Sequence, residues 1–199
     1  MSKIGSFEFK LKNFINKVSF SDNFHVTDKL SVVALLFRLK YDYPELLIIK
    51  RSNLLRTHPG EWAFPGGKID VDDNDYEDTV LREVNEELGI QSFNIKLLGR
   101  IKHFVTSSGF VVIPYIGILK NGYSIDINLD EVEKYFFVDF NLFSNSDNFR
   151  SISFLNLENN DKNFVLLHTL SFAYKDKVIW GATARIIRYI TNVNNNYND

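Results

Sequence analysis

The sequence predicts an α/β protein of the α+β kind, and three observations predict it. Short runs rich in Val, Leu and Ile recur along the 199 residues at strand length. Around them lie three stretches whose apolar residues fall at helical spacing. No repeat or linker divides the chain, so one main domain is expected over residues 30–192. Residues 1–29 would form an N-terminal extension with a short helix, and residues 193–199, polar and Asn-rich, a frayed tail.

Taken in order, Phe7, Leu11, Phe14, Ile15 and Val18 sit near helical spacing and predict a short amphipathic helix over 7–18. Residues 30–39 and 45–50 read as two strands, with Tyr41-Asp42-Tyr43-Pro44 as the turn between them. A polar loop covers 51–61, and Trp62–Phe64 return to strand. Asp75–Leu88 predicts a helix with Asn74 or Asp73 as N-cap and Gly89 as C-cap. Residues 93–105 and 110–120 read as strands around the turn Thr106-Ser107-Ser108-Gly109. Tyr135–Asp139 and 151–155 are shorter strands, 164–180 is a hairpin turning at Lys175-Asp176-Lys177, and 181–192 is a last amphipathic helix.

Composition excludes several classes. A net charge of −2 gives no electrostatic footprint for binding nucleic acid in bulk. With no cysteine, disulfides, thiolate metal sites and a Cys nucleophile are ruled out. Apolar runs such as Val32-Val33-Ala34-Leu35-Leu36-Phe37 are too short to span a bilayer. The chain opens on no secretory signal and ends in Tyr197-Asn198-Asp199 rather than a peroxisomal address, which makes the cytoplasm the default expectation.

The most informative stretch runs from Gly66-Gly67-Lys68-Ile69-Asp70-Val71-Asp72-Asp73 into Arg82-Glu83-Val84-Asn85-Glu86-Glu87-Leu88-Gly89-Ile90. At helical spacing Glu83, Glu86 and Glu87 fall at i, i+3 and i+4 and are expected to share one face. Like charges so placed repel by up to about half a kcal/mol per pair. Water or cations must therefore screen them. Dense carboxylate oxygens suit hard ions such as Mg²⁺ or Mn²⁺, which commonly act beside phosphate groups. The two glycines upstream let a backbone approach closely. The pattern points to a metal site for phosphate chemistry.

The helical half of this stretch resembles the Nudix hydrolase signature, Arg-Glu-apolar-x-Glu-Glu-x-Gly-apolar, at every position. The upstream half differs from the commonest form. Counting back from Arg82, the first signature glycine would fall on Lys68 and the first signature glutamate on Asn74. The glycines stand instead at 66 and 67, and Asp70, Asp73, Thr79, Arg82 and Glu83 are similar to the coenzyme A pyrophosphatase branch. That branch also carries an upstream element which Arg51, Ser52, Arg56, Gly60, Phe64, Pro65, Gly66 and Gly67 resemble at the same spacing. Weaker collinear likenesses follow at Gly109–Pro114, Asn128–Val132 and Ile179–Ile186.

The resemblance implies a mixed β-sheet sandwiched between α-helices, and metal-dependent cleavage of coenzyme A or a derivative to 3′,5′-ADP and 4′-phosphopantetheine. Glu83, Glu86 and Glu87 are the expected metal ligands, with the Gly67 carbonyl as a further one. Glu86, Arg82 and Glu131 form the expected catalytic set: a glutamate or Glu131 as base, Arg82 orienting a glutamate through a bidentate pair. Arg51, Arg56, Gly66 and Gly67 are the expected substrate contacts, the arginines suiting the 3′-phosphate. Asp70 and Asp73 either add ligands or form Asx turns, His58 either contacts adenine or phosphate or is an exposed loop histidine that does neither, and Trp180 is expected as a packing anchor rather than a base-stacking platform. The expected partner is a small coenzyme A-like nucleotide, with neither bulk nucleic acid nor membrane, and a homodimer stays open. Two alternatives remain. One is a Nudix hydrolase of ADP-ribose, NADH, a dinucleotide, a damaged nucleoside triphosphate or an RNA cap. The other is a nucleotide-sensing module without chemistry.

Overall fold

The apolar runs at 32–37 and 46–49 read as unbroken hydrophobic stretches because both faces of their strands are covered. The computed structural model describes residues 3–17, 29–41, 43–157 and 164–195; Val18, Asp42 and the tail from 196 lie outside them. Helix α1 (Lys3–Lys17) precedes β1 (Lys29–Lys40), β2 (Tyr43–Arg51), β3 (Trp62–Ala63) and β4 (Gly66–Lys68). Helix α2 (Tyr76–Leu88) leads to β5 (Ile95–Arg100), β6 (Phe104–Val105), β7 (Phe110–Leu119) and β8 (Val132–Asp139). A second group follows: β9 (Phe149–Leu157), β10 (Phe164–Tyr174), β11 (Lys177–Trp180) and α3 (Gly181–Asn195).

The first sheet has eight strands in the order β3-β2-β1-β7-β5, with β4 on β1, β6 on β7 and β8 on β2. Its β1–β7 pair is parallel and its other pairs are antiparallel, so the sheet is mixed. A separate three-stranded sheet runs β11-β10-β9. Side-chain alternation on β1 and β2 divides the core. Val32, Ala34, Leu36, Leu47 and Ile49 pack on one face with Val80, Val84 and Leu88 of α2. Leu35, Phe37, Leu46 and Ile48 pack on the other with Leu11 and Phe14 of α1, Phe140, and Ile186, Ile187 and Ile190 of α3. Each such buried side chain contributes roughly 1.5–3 kcal/mol. The mixed sheet is therefore sandwiched between helices, as the sequence predicts.

Several boundaries differ from expectation for identifiable reasons. The 93–105 segment is not one strand. Ser92–Asn94 form a 3-10 turn, β5 carries a register shift between Leu97 and Gly99, and pairing with β7 resumes only at Phe104. Strand β8 begins at Val132 because Arg51 pairs there, and its Glu133-Lys134 stretch tolerates polar residues on a sheet edge. The N-cap of α2 is Asp75, not Asn74 or Asp73. Asp75 is extended (φ −154°) and accepts from the N–H groups of Glu77 and Asp78 at 2.8 and 2.9 Å. Asn74 and Asp73 are drawn away by side-chain partners, Asp78 and Arg82. Gly89 closes the helix in the left-handed region (φ 66°), where a side chain would be strained. The last helix runs to Asn195, three residues past the predicted end.

Candidate active site

The packed stripe Val80-Val84-Leu88 fixes the rotation of α2 and so decides which acids face inward. Glu83 and Glu87 turn toward a cleft of about 1200 Å³, and Glu131 enters the same cleft from the loop before β8. Glu86 does not. Three residues on from Glu83, it lies a quarter-turn from Glu87, 47% exposed, and its carboxylate goes to Arg82 at 2.9 Å. Of the three glutamates, Glu83 and Glu87 line the cleft, while Glu86 meets Glu83 at the same Arg82 nitrogen and is not part of the cleft wall.

Glu87 is 2% exposed. Its Oε2 accepts the Gly66 N–H at 2.9 Å, and its Oε1 lies 3.8 Å from Arg51 Nη1. Burial raises its carboxyl to about 8; the Gly66 N–H and Arg51 oppose the rise, and Glu83 and Glu131 add to it. Glu83 is raised as well, by burial first, against the opposing bond from Arg82 and with further repulsion from Glu86 and Glu131. The last turn of α2 carries no basic residue, so its dipole adds to the unfavourable charge. Folding brings together here carboxyl groups whose ionisation it disfavours.

Arg82 is fully occupied. Its Nε and Nη2 grip Asp73 at 2.9 and 3.0 Å, Nη1 donates to Glu83 at 3.0 Å and Glu86 at 2.9 Å, and Nη2 also reaches the Lys68 carbonyl at 3.0 Å. The expected bidentate partner was a glutamate; the observed one is Asp73. Those bonds hold the Asp73 carboxyl well below the usual carboxylate range. Asp70 forms the Asx turn, accepting from the Asp72 N–H at 3.2 Å while its own N–H donates to Asp73 at 2.8 Å. Both aspartates build the loop.

The glycine pair is explained by crowding. A Cβ on Gly66 (φ 143°) would overlap the Val32 carbonyl oxygen, and one on Gly67 would overlap the Glu83 carboxylate. The Gly67 carbonyl accepts from Ser31 Oγ at 2.9 Å, which leaves a second lone pair. Arg51 lines the cleft, 19% exposed, with Nη2 3.5 Å from the Thr57 carbonyl and Nε buried without an acceptor among the described residues. Arg56 is exposed and is not part of the cleft wall. The Ser52 N–H donates to the Glu131 carbonyl at 2.8 Å and so ties this loop to the Glu131 loop. His58 lines the cleft in left-handed backbone (φ 55°), its Nδ1 3.0 Å from Glu61, whose hydrogen bond raises its pKa.

Hard carboxylate oxygens that repel one another in a buried setting are a donor set suited to a divalent cation. Among the described residues no three acidic or histidine side chains close round one point. That agrees with an ion such as Mg²⁺, which is held by one or two carboxylates, waters and substrate phosphates rather than by a protein cage. Thr106, Ser107, Ser108 and Phe110, with Leu170, Trp180, Thr183 and Arg185, line the same cleft as the glutamates, so Trp180 is a wall residue as well as a packing one. Phe110, Trp180, Thr183 and Arg185 fall in the segments Gly109–Pro114 and Ile179–Ile186 whose likeness the sequence showed, but that β10, β11 and α3 meet the cleft of the glutamates is decided by tertiary packing.

Comparison with known proteins agrees with this geometry. The family description "NUDIX domain" matches residues 27–156. A protein from Photorhabdus laumondii named "Uncharacterized Nudix hydrolase NudL" is 35% identical over 148 residues, 74% of this chain and 75% of its own length. Its namesake from Yersinia pestis is 30% identical over 187 residues, 94% of this chain and 90% of its own length. The crystal structure of a MutT/nudix family protein from Enterococcus faecalis superposes with a TM-score of 0.51 at 15% identity, over 98% of this chain and 75% of that one, a likeness of fold. The chain belongs to the Nudix hydrolase family.

Proposed function

We propose that this Nudix hydrolase cleaves the diphosphate of coenzyme A or a close derivative, yielding 3′,5′-ADP and 4′-phosphopantetheine or its acyl form. The observation that carries the reading is the cleft. It joins the glutamates to side chains of β10, β11 and α3, among them Leu170, Trp180 and Ile186 as well as Thr183 and Arg185, in one continuous space of about 1200 Å³. That is room for a diphosphate with a substantial group on each side. The likeness of residues 51–73 to the coenzyme A branch supports the same substrate.

Glu83 and Glu87 would hold the divalent cation, beside the Gly67 carbonyl, with Glu86 joining when Arg82 releases it. Bound there, the cation would neutralise diphosphate charge and make its water more acidic. Glu131 is the proposed base. Its backbone is pinned by Ser52 and Asn128, while its half-buried carboxylate faces the cleft with no protein donor among the described residues. It would take a proton from the attacking water as the water oxygen bonds to phosphorus and the bridging P–O bond breaks. Arg82 orients Glu83 and Glu86 and does not itself reach the cleft.

Hydrolysis of coenzyme A, ADP-ribose, NADH, diadenosine polyphosphates and nucleoside triphosphates, with Mg²⁺, Mn²⁺ or chelator and products read by mass, tests this. Metal-dependent release of 3′,5′-ADP well above the other products is expected. Preference for another substrate overturns the coenzyme A reading and keeps the hydrolase. Nucleotide binding with no turnover overturns the chemistry. Glu131→Gln is expected to lower kcat by about 10²–10⁴-fold with an unchanged unfolding transition.

A further inference from the structure

Two ammonium groups, that of Lys68 in the cleft wall and that of Lys29, which does not line it, stand against one aromatic ring. Lys29 begins β1 directly opposite Phe110 in the parallel register, and Lys68 ends β4 opposite Ser31. Lys29 Nζ lies 5.6 Å and Lys68 Nζ 5.9 Å from the centroid of the Phe110 ring. Both lysines are exposed, and among the described residues neither has a carboxylate within ion-pair distance. Two cations on one ring repel each other, and a dianion placed between them would remove that repulsion. Lys68 and Phe110 line the cleft, next to the hydroxyl-bearing turn Thr106-Ser107-Ser108. The Phe110 N–H donates to Thr106 Oγ1 at 2.9 Å, and Thr106 Oγ1 and Ser108 Oγ are 3.0 Å apart, so the turn is stapled to the ring that gathers the lysines.

We infer that Lys29, Lys68 and Phe110 form a phosphomonoester subsite that reads the 3′-phosphate of the substrate's nucleotide arm, an inference that rests on the coenzyme A reading. A phosphomonoester carries a charge of about −1.5 to −2 at pH 7, and ammonium groups bind it as point charges. The position fits. Lys68 directly follows Gly67, whose Cα abuts the Glu83 carboxylate, so the subsite adjoins the place proposed for the diphosphate. Arg51, expected for this role, lines the same cleft and lies near buried Glu87 and the Thr57 carbonyl, while Arg56 is exposed and does not line it.

Two measurements test it. Calorimetric binding of 3′,5′-ADP and 5′-AMP, with Mg²⁺ present, compares ligands that differ only in the 3′-phosphate. The wild type is expected to prefer 3′,5′-ADP, each of Lys29→Gln and Lys68→Gln to cut that preference about tenfold, and the double variant to erase it. In kinetics, the kcat/KM ratio for coenzyme A over dephospho-coenzyme A is expected to fall in parallel, while Lys10→Gln on α1 leaves the ratio alone. Equal binding of the two nucleotides by the wild type, no detectable 3′,5′-ADP binding, or a preference that survives the double variant overturns the subsite. The binding arm decides this even if turnover proves to favour another substrate, in which case only the coenzyme A reading falls.

Discussion

Asp73 receives two N–H groups of Arg82, at 2.9 and 3.0 Å, and its side chain is 5% exposed. The pair joins the end of the glycine loop to the middle of α2, so the loop cannot shift without moving the glutamates. Asp73→Ala would leave two guanidinium N–H groups without their acceptor and is expected to cost about 1.5–3 kcal/mol in urea unfolding at pH 7. Because folding depresses the Asp73 pKa, its stabilising contribution is full above the ordinary carboxylate value of 3.8 and is lost as pH falls below it. The difference between wild type and variant should therefore shrink in acid, a trend that a series of unfolding curves below pH 4 would check.

Glu87 has the opposite sign. Its carboxyl is raised from 4.5 to about 8, so folding favours the protonated form. Its contribution is complete below pH 4.5 and declines as pH rises toward 8. Metal-free wild type should lose stability across that window, and Glu87→Gln should be the more stable protein at pH 8 by about 1–3 kcal/mol while losing activity. Divalent cation should stabilise wild type more than the variant. Thermal unfolding with and without chelator reads both.

The adjacent glycines should fail differently. Gly66→Ala meets backbone at Val32, in a φ that strains any side chain, and should cost about 3 kcal/mol or more, read as a lower melting temperature. The nearest atoms that Gly67→Ala meets belong to the Glu83 carboxylate, the far end of a flexible side chain. Melting should change little, and hydrolysis should fall at least tenfold.

Asp75→Ala should lower stability by about 1 kcal/mol, with Asn74→Ala nearer neutral, as expected if Asp75 is the N-cap of α2. Chemical denaturation of both variants compares them.

Local pattern carried most of this fold. The runs at 32–37 and 46–49 and the stripe Val80-Val84-Leu88 mark their elements because burial imposes a period on the sequence. Gly66, Gly67, Arg82, Glu83 and Glu87 were legible for the same reason, being close in sequence and joined by one loop and one helix. Much of what stayed hidden depends on distance along the chain. That Glu83 and Glu87 rather than Glu86 line the cleft is decided by how α2 packs on the sheet, and that Lys29 meets Lys68 on Phe110 is decided by sheet register. The choice of Asp75 over its neighbours as cap depends on which of three acids or amides Arg82 and Asp78 claim first.

The packing of α1 against α3 has a kinetic consequence. Leu11 and Phe14 share a core with Ile186, Ile187 and Ile190, and the Phe14 ring lies 5.8 Å from that of Tyr189. During synthesis the first helix can meet β1 and β2 early, through Leu35, Phe37, Leu46 and Ile48, but the part of its apolar face that α3 covers waits until that helix has emerged. Contacts of such sequence separation close slowly. The nascent chain should therefore be a client for chaperones that shield hydrophobic surface, and its yield should respond to the speed of translation more than its final stability does.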